Sequence, residues 1–269
     1  MKLKKIKTMG SVLLFPLLLM ACGNANTTAA DNEEIFIGEP GDTFVVGLDD
    51  TFVPMGFRDN EGRLVGLDVD LAKEAADRLD VEIEFQPIDW AMKETELNSG
   101  KIDAIWNGYS MTKEREEKVA FSTPYHSSGQ VFVVLADSLI ENWDDLAGKI
   151  VASQQSSSTV DLLKNHETGI VDTFADGDIV QYPSYNDVFN DLESGRSEAI
   201  AVSETYARYY MKQKEEEKYR ILEEGFGYED SAVGLRKSDT EFRDKLNAVL
   251  AEMEEDGILQ EIKGRWIAE

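Results

Sequence analysis

Residues 43–85 read TFVVGLDDTFVPMGFRDNEGRLVGLDVDLAKEAADRLDVEIEF, and the spacing of their apolar positions changes period twice. Phe44–Leu48 is a short β-branched run. After Asp68, the residues Leu71, Ala72, Ala75, Ala76 and Leu79 share one helical face, and Val81–Phe85 alternates again. Strand, amphipathic helix and strand in this order predict an α/β sheet protein. The pattern recurs along the chain. Ala104–Trp106, Val131–Leu135, Ile150–Ala152, Ala199–Val202 and Ala232–Leu235 are further strand candidates, with helical stretches between them. Near the C-terminus Phe242, Leu246, Val249, Leu250 and Met253 keep helical spacing behind Ser238 as the capping candidate. Gly257 is expected to break that helix, and a last short one carries Ile262 and Trp266.

The 269 residues are 42% hydrophobic and 9% aromatic, enough for one large domain or two modest ones and too apolar for disorder. Asp and Glu number 53 against 27 Lys and Arg, a formal charge of −26. Such a surface repels phosphate backbones and anionic lipid, so nucleic-acid binding and attachment through a basic patch are excluded. The single cysteine excludes a disulfide framework and a multi-cysteine metal site.

Enzyme motifs are weak. Gly108-Tyr109-Ser110 lacks the second glycine of a nucleophile elbow, and Gly225-Phe226-Gly227 has no third glycine or phosphate loop. His166 reads as a solvated helix end. His126, after Pro124-Tyr125, could lie near a site, although a structural or neutral role is the commoner one. Asp176-Gly177-Asp178 is a turn, because the spaced ligands of a calcium loop are missing. No cofactor, metal or catalytic triad is expected.

The N-terminus carries Lys2, Lys4, Lys5 and Lys7, followed by an apolar stretch from Val12 to Met20 that Pro16 interrupts and that is too short to span a bilayer. Leu19-Met20-Ala21-Cys22-Gly23 resembles the lipobox of bacterial lipoproteins, with a plain secretory signal as the alternative. The resemblance implies a signal peptide over 1–21, cleaved before Cys22, and diacylation of that cysteine. Two acyl chains make a stable anchor. Residues 22–33 are then the acylated cysteine and a small, polar, flexible tether.

Gly66-Leu67-Asp68-Val69-Asp70-Leu71, with Ala75-Ala76 and Leu79 behind it, resembles the signature segment of bacterial extracellular solute-binding proteins family 3, the polar amino-acid receptors of ABC importers. The likeness continues through Gly100-Lys101-Ile102-Asp103-Ala104, Ser110-Met111-Thr112-Lys113-Glu114-Arg115 and Phe121-Ser122-Thr123-Pro124-Tyr125. It closes with Asp145-Leu146-Ala147-Gly148-Lys149 and Val233-Gly234-Leu235-Arg236-Lys237. It implies a two-lobed periplasmic-binding-protein-like fold of type II, with two crossing strands as hinge. Lobe 1 would comprise 34–128 plus 226–269 and lobe 2 129–225, with Tyr125–Gln130 as the first crossing. It further implies a lipid-anchored, extracytoplasmic, monomeric receptor that delivers a polar amino acid to an ABC permease and is not an enzyme. A dehydratase-like enzyme or a ligand sensor on the same scaffold is the alternative.

The same resemblance places the site. Arg115 matches the arginine that holds the ligand α-carboxylate, a task for which a planar guanidinium fork is suited and an ammonium is not. Ser110 and the Gly108 carbonyl match positions at the ligand's polar end. Ser157 and Ser158 sit between a strand and a helix, where free backbone N–H groups would close the carboxylate site. The family often has glycine where Ser156 stands, which leaves that loop's conformation open. Phe52 and Trp90 correspond to aromatic walls around the ligand side chain, or else to ordinary core. Asp49 matches a position at the side-chain end, and of Asp49 and Asp50 only one is expected to point inward. Relatives place an aspartate where this chain has Ser203, removing a charge from the ammonium site, and Glu204 is the candidate to compensate.

Overall fold

The computed structural model describes residues 39–267. The leader, Cys22 and the tether lie outside them. In chain order the strands are β1 (Thr43–Leu48), β2 (Thr51–Phe52), β3 (Gly56–Arg58), β4 (Leu64–Val65), β5 (Glu82–Pro87), β6 (Ala104–Ile105), β7 (Ala120–Phe121), β8 (His126–Leu135), β9 (Val151–Gln154), β10 (Val180–Tyr182), β11 (Ala199–Ser203), β12 (Tyr219–Ile221), β13 (Gly227–Ser231) and β14 (Gly234–Leu235). The helices are α1 (Leu67–Leu79), α2 (Lys93–Asn98), α3 (Lys113–Glu116), α4 (Ser158–Lys164), α5 (Tyr185–Glu193), α6 (Glu204–Gln213), α7 (Thr240–Glu255) and α8 (Ile258–Trp266). Among the described residues no helix is long and apolar enough to cross a membrane.

Two sheet lobes result. The first has the order β5-β1-β6-β14-β7, with β1 parallel to β5 and β6. The second runs β10-β9-β11-β8-β12, with β9 parallel to β10 and β11. A small antiparallel sheet, β2-β3-β4, follows the carboxyl end of β1. Each main sheet is covered on both faces. Phe44 and Val46 of β1 pack with Leu71, Ala75 and Phe242 from α1 and α7, while Ile105 faces Trp90 and Leu97. In β8 the alternation sends Phe132 and Val134 to one core and Val131 and Val133 to another. The chain enters the second sheet along β8 and returns along β13. These two pair antiparallel from His126↔Ser231 to Gly227↔Gln130, and Ser231 also bridges Ser110.

The βαβ unit read from residues 43–85 is present, with one shift. Asp80 ends α1 in a left-handed conformation (φ 57°) and Val81 N–H bonds the Ala76 carbonyl, so β5 starts at Glu82. Strand β9 runs past the expected Ala152 because the buried polar pair Ser153 and Gln154 bond the Ala201 and Pro183 carbonyls. The strand expected over 232–235 is only β14. The polar segment Gly227–Ser231 forms β13 instead, burying Glu229 and Ser231 on alternate positions. Ser238 does not cap α7. Its hydroxyl donates to Asp239, which occupies the cap position and pairs with Arg236 at 2.8 Å. Gly257 does separate the last two helices, with φ 85°.

Helix α1 begins on Gly66 without a side-chain cap. Its first N–H groups, of Leu67 and Asp68, are taken by the Pro54 and Met55 carbonyls, both at 2.8 Å. That approach needs a residue without a Cβ. At Gly66 (φ 139°) an added Cβ would lie 2.3 Å from the Met55 oxygen, whereas at Gly62 (φ 78°) it would meet nothing within 4 Å. Gly66→Ala is therefore expected to lower stability by at least about 2 kcal/mol, and Gly62→Ala by about 1 kcal/mol, in denaturant unfolding. Equal losses would show that backbone conformation alone, without the close approach, fixes Gly66.

Candidate functional site

A cavity lies at the carboxyl ends of the parallel strands, where open α/β sheets bind ligands. Asp49 reaches it from just past the end of β1, Phe52 from β2, and Gly108 and Ser110 from the loop after β6. Ser157 and Ser158 come from the start of α4, Ser203 from the end of β11, and Trp90 and Arg115 from the helical segments beside the first sheet.

Arg115 sits in the short helix α3, whose cap Thr112 accepts the Arg115 N–H at 3.2 Å. The side chain is 4% exposed. Its Nη1 donates to the Ser110 carbonyl (3.0 Å) and its Nη2 to the Ser156 carbonyl (3.3 Å), with the guanidinium carbon 4.6 Å from the Tyr109 ring centroid. Both acceptors are neutral, and among the described residues Arg115 forms no ion pair. The cation is held in place without being neutralised and keeps donors to spare. Lys93 lies in the same corner and donates to Trp90 O (3.1 Å) and Ser156 O (3.2 Å). Burial and the neighbouring Arg115 push its ammonium down to about 8.

Ser156 therefore offers one carbonyl to two cations. It does so in the left-handed conformation, φ 56°, which glycine adopts without strain and serine does not. Ser157 caps α4, accepting the Val160 N–H at 3.3 Å. Ser158 Oγ donates to Glu229 Oε2 at 2.6 Å and lies 3.0 Å from Ser110 Oγ.

The two neighbouring aspartates divide. Asp50 turns outward to Arg58 at 2.6 Å. Asp49 faces the cavity, accepting from Thr51 N (2.9 Å), Thr51 Oγ1 (2.6 Å) and Gln154 Nε2 (2.9 Å), and burial raises its carboxyl above the ordinary value. Phe52 packs 5.2 Å from Tyr206 and 5.8 Å from Tyr185, and Trp90 meets Tyr109 edge-on at 5.9 Å. Gly108 (φ 57°) donates its N–H to Asp68 Oδ2 at 2.5 Å. Asp68 is fully enclosed beneath the loop, and burial raises its carboxyl to about 7.

Ser203 ends β11 and caps α6, 3.3 Å from Ser128 Oγ. Glu204 is the one expected site residue that the fold keeps off the cavity wall. It opens α6, and its carboxylate reaches forward one helical turn to Arg208 at 2.5 Å.

Several wall residues were not anticipated, among them Asn107, Ser128, Gln130, Gln154, Tyr185, Glu229 and Ser231. Most lie on β8, β13 or their neighbours, and their convergence depends on strand pairing that no local motif encodes. The segment Gly227-Tyr228-Glu229-Asp230-Ser231 has no apolar alternation that would mark Glu229 as inward-facing. His126 also reaches the wall, its Nε2 3.0 Å from Thr205 Oγ1, and burial lowers its imidazole to about 4.

The family model of bacterial extracellular solute-binding proteins, family 3, matches residues 44–269. The L-cystine-binding protein TcyJ of Escherichia coli K12 is 31% identical over 226 residues, covering 83% of this chain and 82% of TcyJ. A histidine-bound substrate-binding protein of a Streptococcus pneumoniae ABC uptake transporter has 37% identity and a TM-score of 0.82, covering 84% of this chain and 93% of that one. An ancestral arginine-binding protein bound to arginine has 34% identity and a TM-score of 0.77, covering 86% of this chain and all of that one (100%).

His126 sets a pH dependence. Its imidazole titrates near 6.5 when unfolded and near 4 when folded, so between these values only the unfolded chain binds the proton. Its contribution to stability is complete above about pH 6.5 and is lost as pH falls toward 4. Asp68 has the opposite sign over an overlapping range, but it titrates in both wild type and His126→Gln, and the difference between them isolates His126. In guanidinium unfolding the stability of wild type relative to His126→Gln is expected to fall between about pH 7 and about pH 4.5. A constant difference would place the imidazole in a solvated environment.

Proposed function

The chain belongs to the bacterial extracellular solute-binding proteins of family 3, and on that premise we propose that it captures a free amino acid between its lobes and delivers it to an ABC permease. Homologues of this family are amino-acid-binding proteins, and the type II fold with two sheet lobes is shared with the solved relatives. The observation that carries the reading is Arg115: a buried guanidinium held by two neutral carbonyls, facing the serine-rich start of α4. A ligand α-carboxylate would take the fork of Arg115 on one side and the first N–H groups of α4 on the other.

The lobes assigned are 34–128 plus 226–269 and 129–225, with β8 and β13 as the hinge. The contacts Asp49–Gln154, Ser110–Ser158 and Arg115–Ser156 span the cleft in the closed arrangement. Phe52 and Trp90 form apolar walls, and Asp49 at the side-chain end favours a cationic or amide side chain over an acidic one. The protein acts at the outer face of the cell membrane, held through a diacylated Cys22.

Two measurements test this. Arg115→Ala is expected to weaken calorimetric binding of the preferred amino acid by about 2–5 kcal/mol, as when one partner of a buried charged pair is removed. Unchanged affinity would reject the carboxylate role. Cys22→Ala should shift the protein from the membrane fraction to the soluble extracytoplasmic fraction, since a single cysteine carries the anchor. Retention in the membrane would reject lipid attachment at that residue.

A further inference from the structure

The neutral Ser203 leaves the reading above without a partner for the ligand's α-ammonium, and Glu204 is committed to Arg208. The cavity wall nevertheless holds a second carboxylate besides Asp49. Glu229, on the returning strand β13, is 9% exposed and lines the cavity. In the β8–β13 register it stands opposite Ser128, whose hydroxyl is 3.3 Å from that of Ser203. Glu229 therefore projects into the sector where the charge is missing, from a strand unrelated in sequence to the one that lacks it.

Its setting suits an acceptor for a cation. Oε2 takes Ser158 Oγ at 2.6 Å and Gln130 Nε2 at 3.1 Å. Gln130 cannot turn its oxygen toward Glu229, because Thr159 Oγ1 donates to that oxygen at 2.8 Å. These bonds fix the carboxylate and leave Oε1 without a hydrogen bond among the described residues. Glu229 also has no ion pair among them. A carboxylate so enclosed is costly unless a cation completes it. Through Ser158 and Ser110 it is linked to the backbone that holds Arg115. Anion and cation sites thus sit at opposite ends of one short hydrogen-bonded path, as the two charges of a zwitterion require.

We infer that Glu229 is the acceptor for the α-ammonium group of the bound amino acid, taking from the crossing strand the role that Ser203 cannot fill. The inference rests on the amino-acid reading, and its test separates the two.

Calorimetry of wild type and Glu229→Gln is run with three ligand pairs: L-arginine and 5-guanidinopentanoate, L-histidine and 3-(imidazol-4-yl)propanoate, L-cystine and 3,3′-dithiodipropionate. The second member of each pair lacks only the α-amino groups. For whichever pair binds wild type, Glu229→Gln should weaken the amino acid by about 30-fold or more and the deamino analogue by less than about 3-fold. Adding Ser203→Asp to Glu229→Gln should recover most of the selective loss. Equal losses for both members, or none, overturn the assignment of Glu229 and leave the amino-acid reading standing. Absence of wild-type binding to these ligands and to all other standard L-amino acids overturns both. If the glutamine variant fails to fold by circular dichroism, Glu229→Asp keeps the charge one methylene further back. It must still weaken the amino acid selectively, and a uniform effect rejects the inference.

Discussion

A guanidinium buried without a carboxylate is the constraint around which the site is built. Removing an ion from water costs several kcal/mol even after relaxation. Here the offset comes from two carbonyl dipoles and one aromatic face, contributed by Ser110, Ser156 and Tyr109. Ser110 belongs to the first sheet's loops and Ser156 to the second's, so one of the two carbonyls reaches Arg115 from across the cleft. Lys93 makes the same demand on Ser156 O, and its lowered ammonium value follows first from burial and then from sharing the corner with Arg115. Within a chain of formal charge −26, two cations thus share this corner, with Glu94 3.5 Å from Lys93.

The fold was legible because its cores obey simple periods. The α1 face at Leu71, Ala72, Ala75 and Ala76 is buried as its spacing requires, and β8 alternates between two cores. Apart from the start of β5, the misread boundaries share a physical reason: polar side chains satisfied inside the protein. Ser153 and Gln154 extend β9, Glu229 and Ser231 belong to β13, and Asp239 displaces Ser238 at the start of α7. A pattern of apolar positions cannot register a strand whose inward residues are hydrogen-bonded.

For the site, local sequence could name residues at strand ends but not what stands opposite them. That Asp49 turns inward and Asp50 outward follows from Gln154 and Arg58, which lie 105 and 8 positions away respectively. Ser156 and Ser203, the two positions that the sequence resemblance marks as unusual, differ in kind. Ser156 keeps the left-handed backbone that glycine would supply, at a cost of about 1–2 kcal/mol, and its carbonyl remains the shared acceptor. Ser203 keeps the backbone role too, capping α6, but loses a charge that backbone geometry cannot restore.

The contacts across the cleft explain why such a receptor can both hold and release. Of those named, Ser110–Ser158 alone joins two neutral groups, while Asp49–Gln154, Arg115–Ser156, Lys93–Ser156 and Glu229–Ser158 each set a charge against a neutral partner, about 1.5–3 kcal/mol net apiece, and acidic residues outnumber basic ones in both lobes. Among the described residues no ion pair joins the lobes directly in the closed arrangement. Its strongest charges, Arg115, Asp49 and Glu229, all line the cavity without ion pairs among the described residues. On the reading proposed above, a solute pairing with them would supply the ion pairing that closure itself lacks, and its departure would remove that pairing in one step.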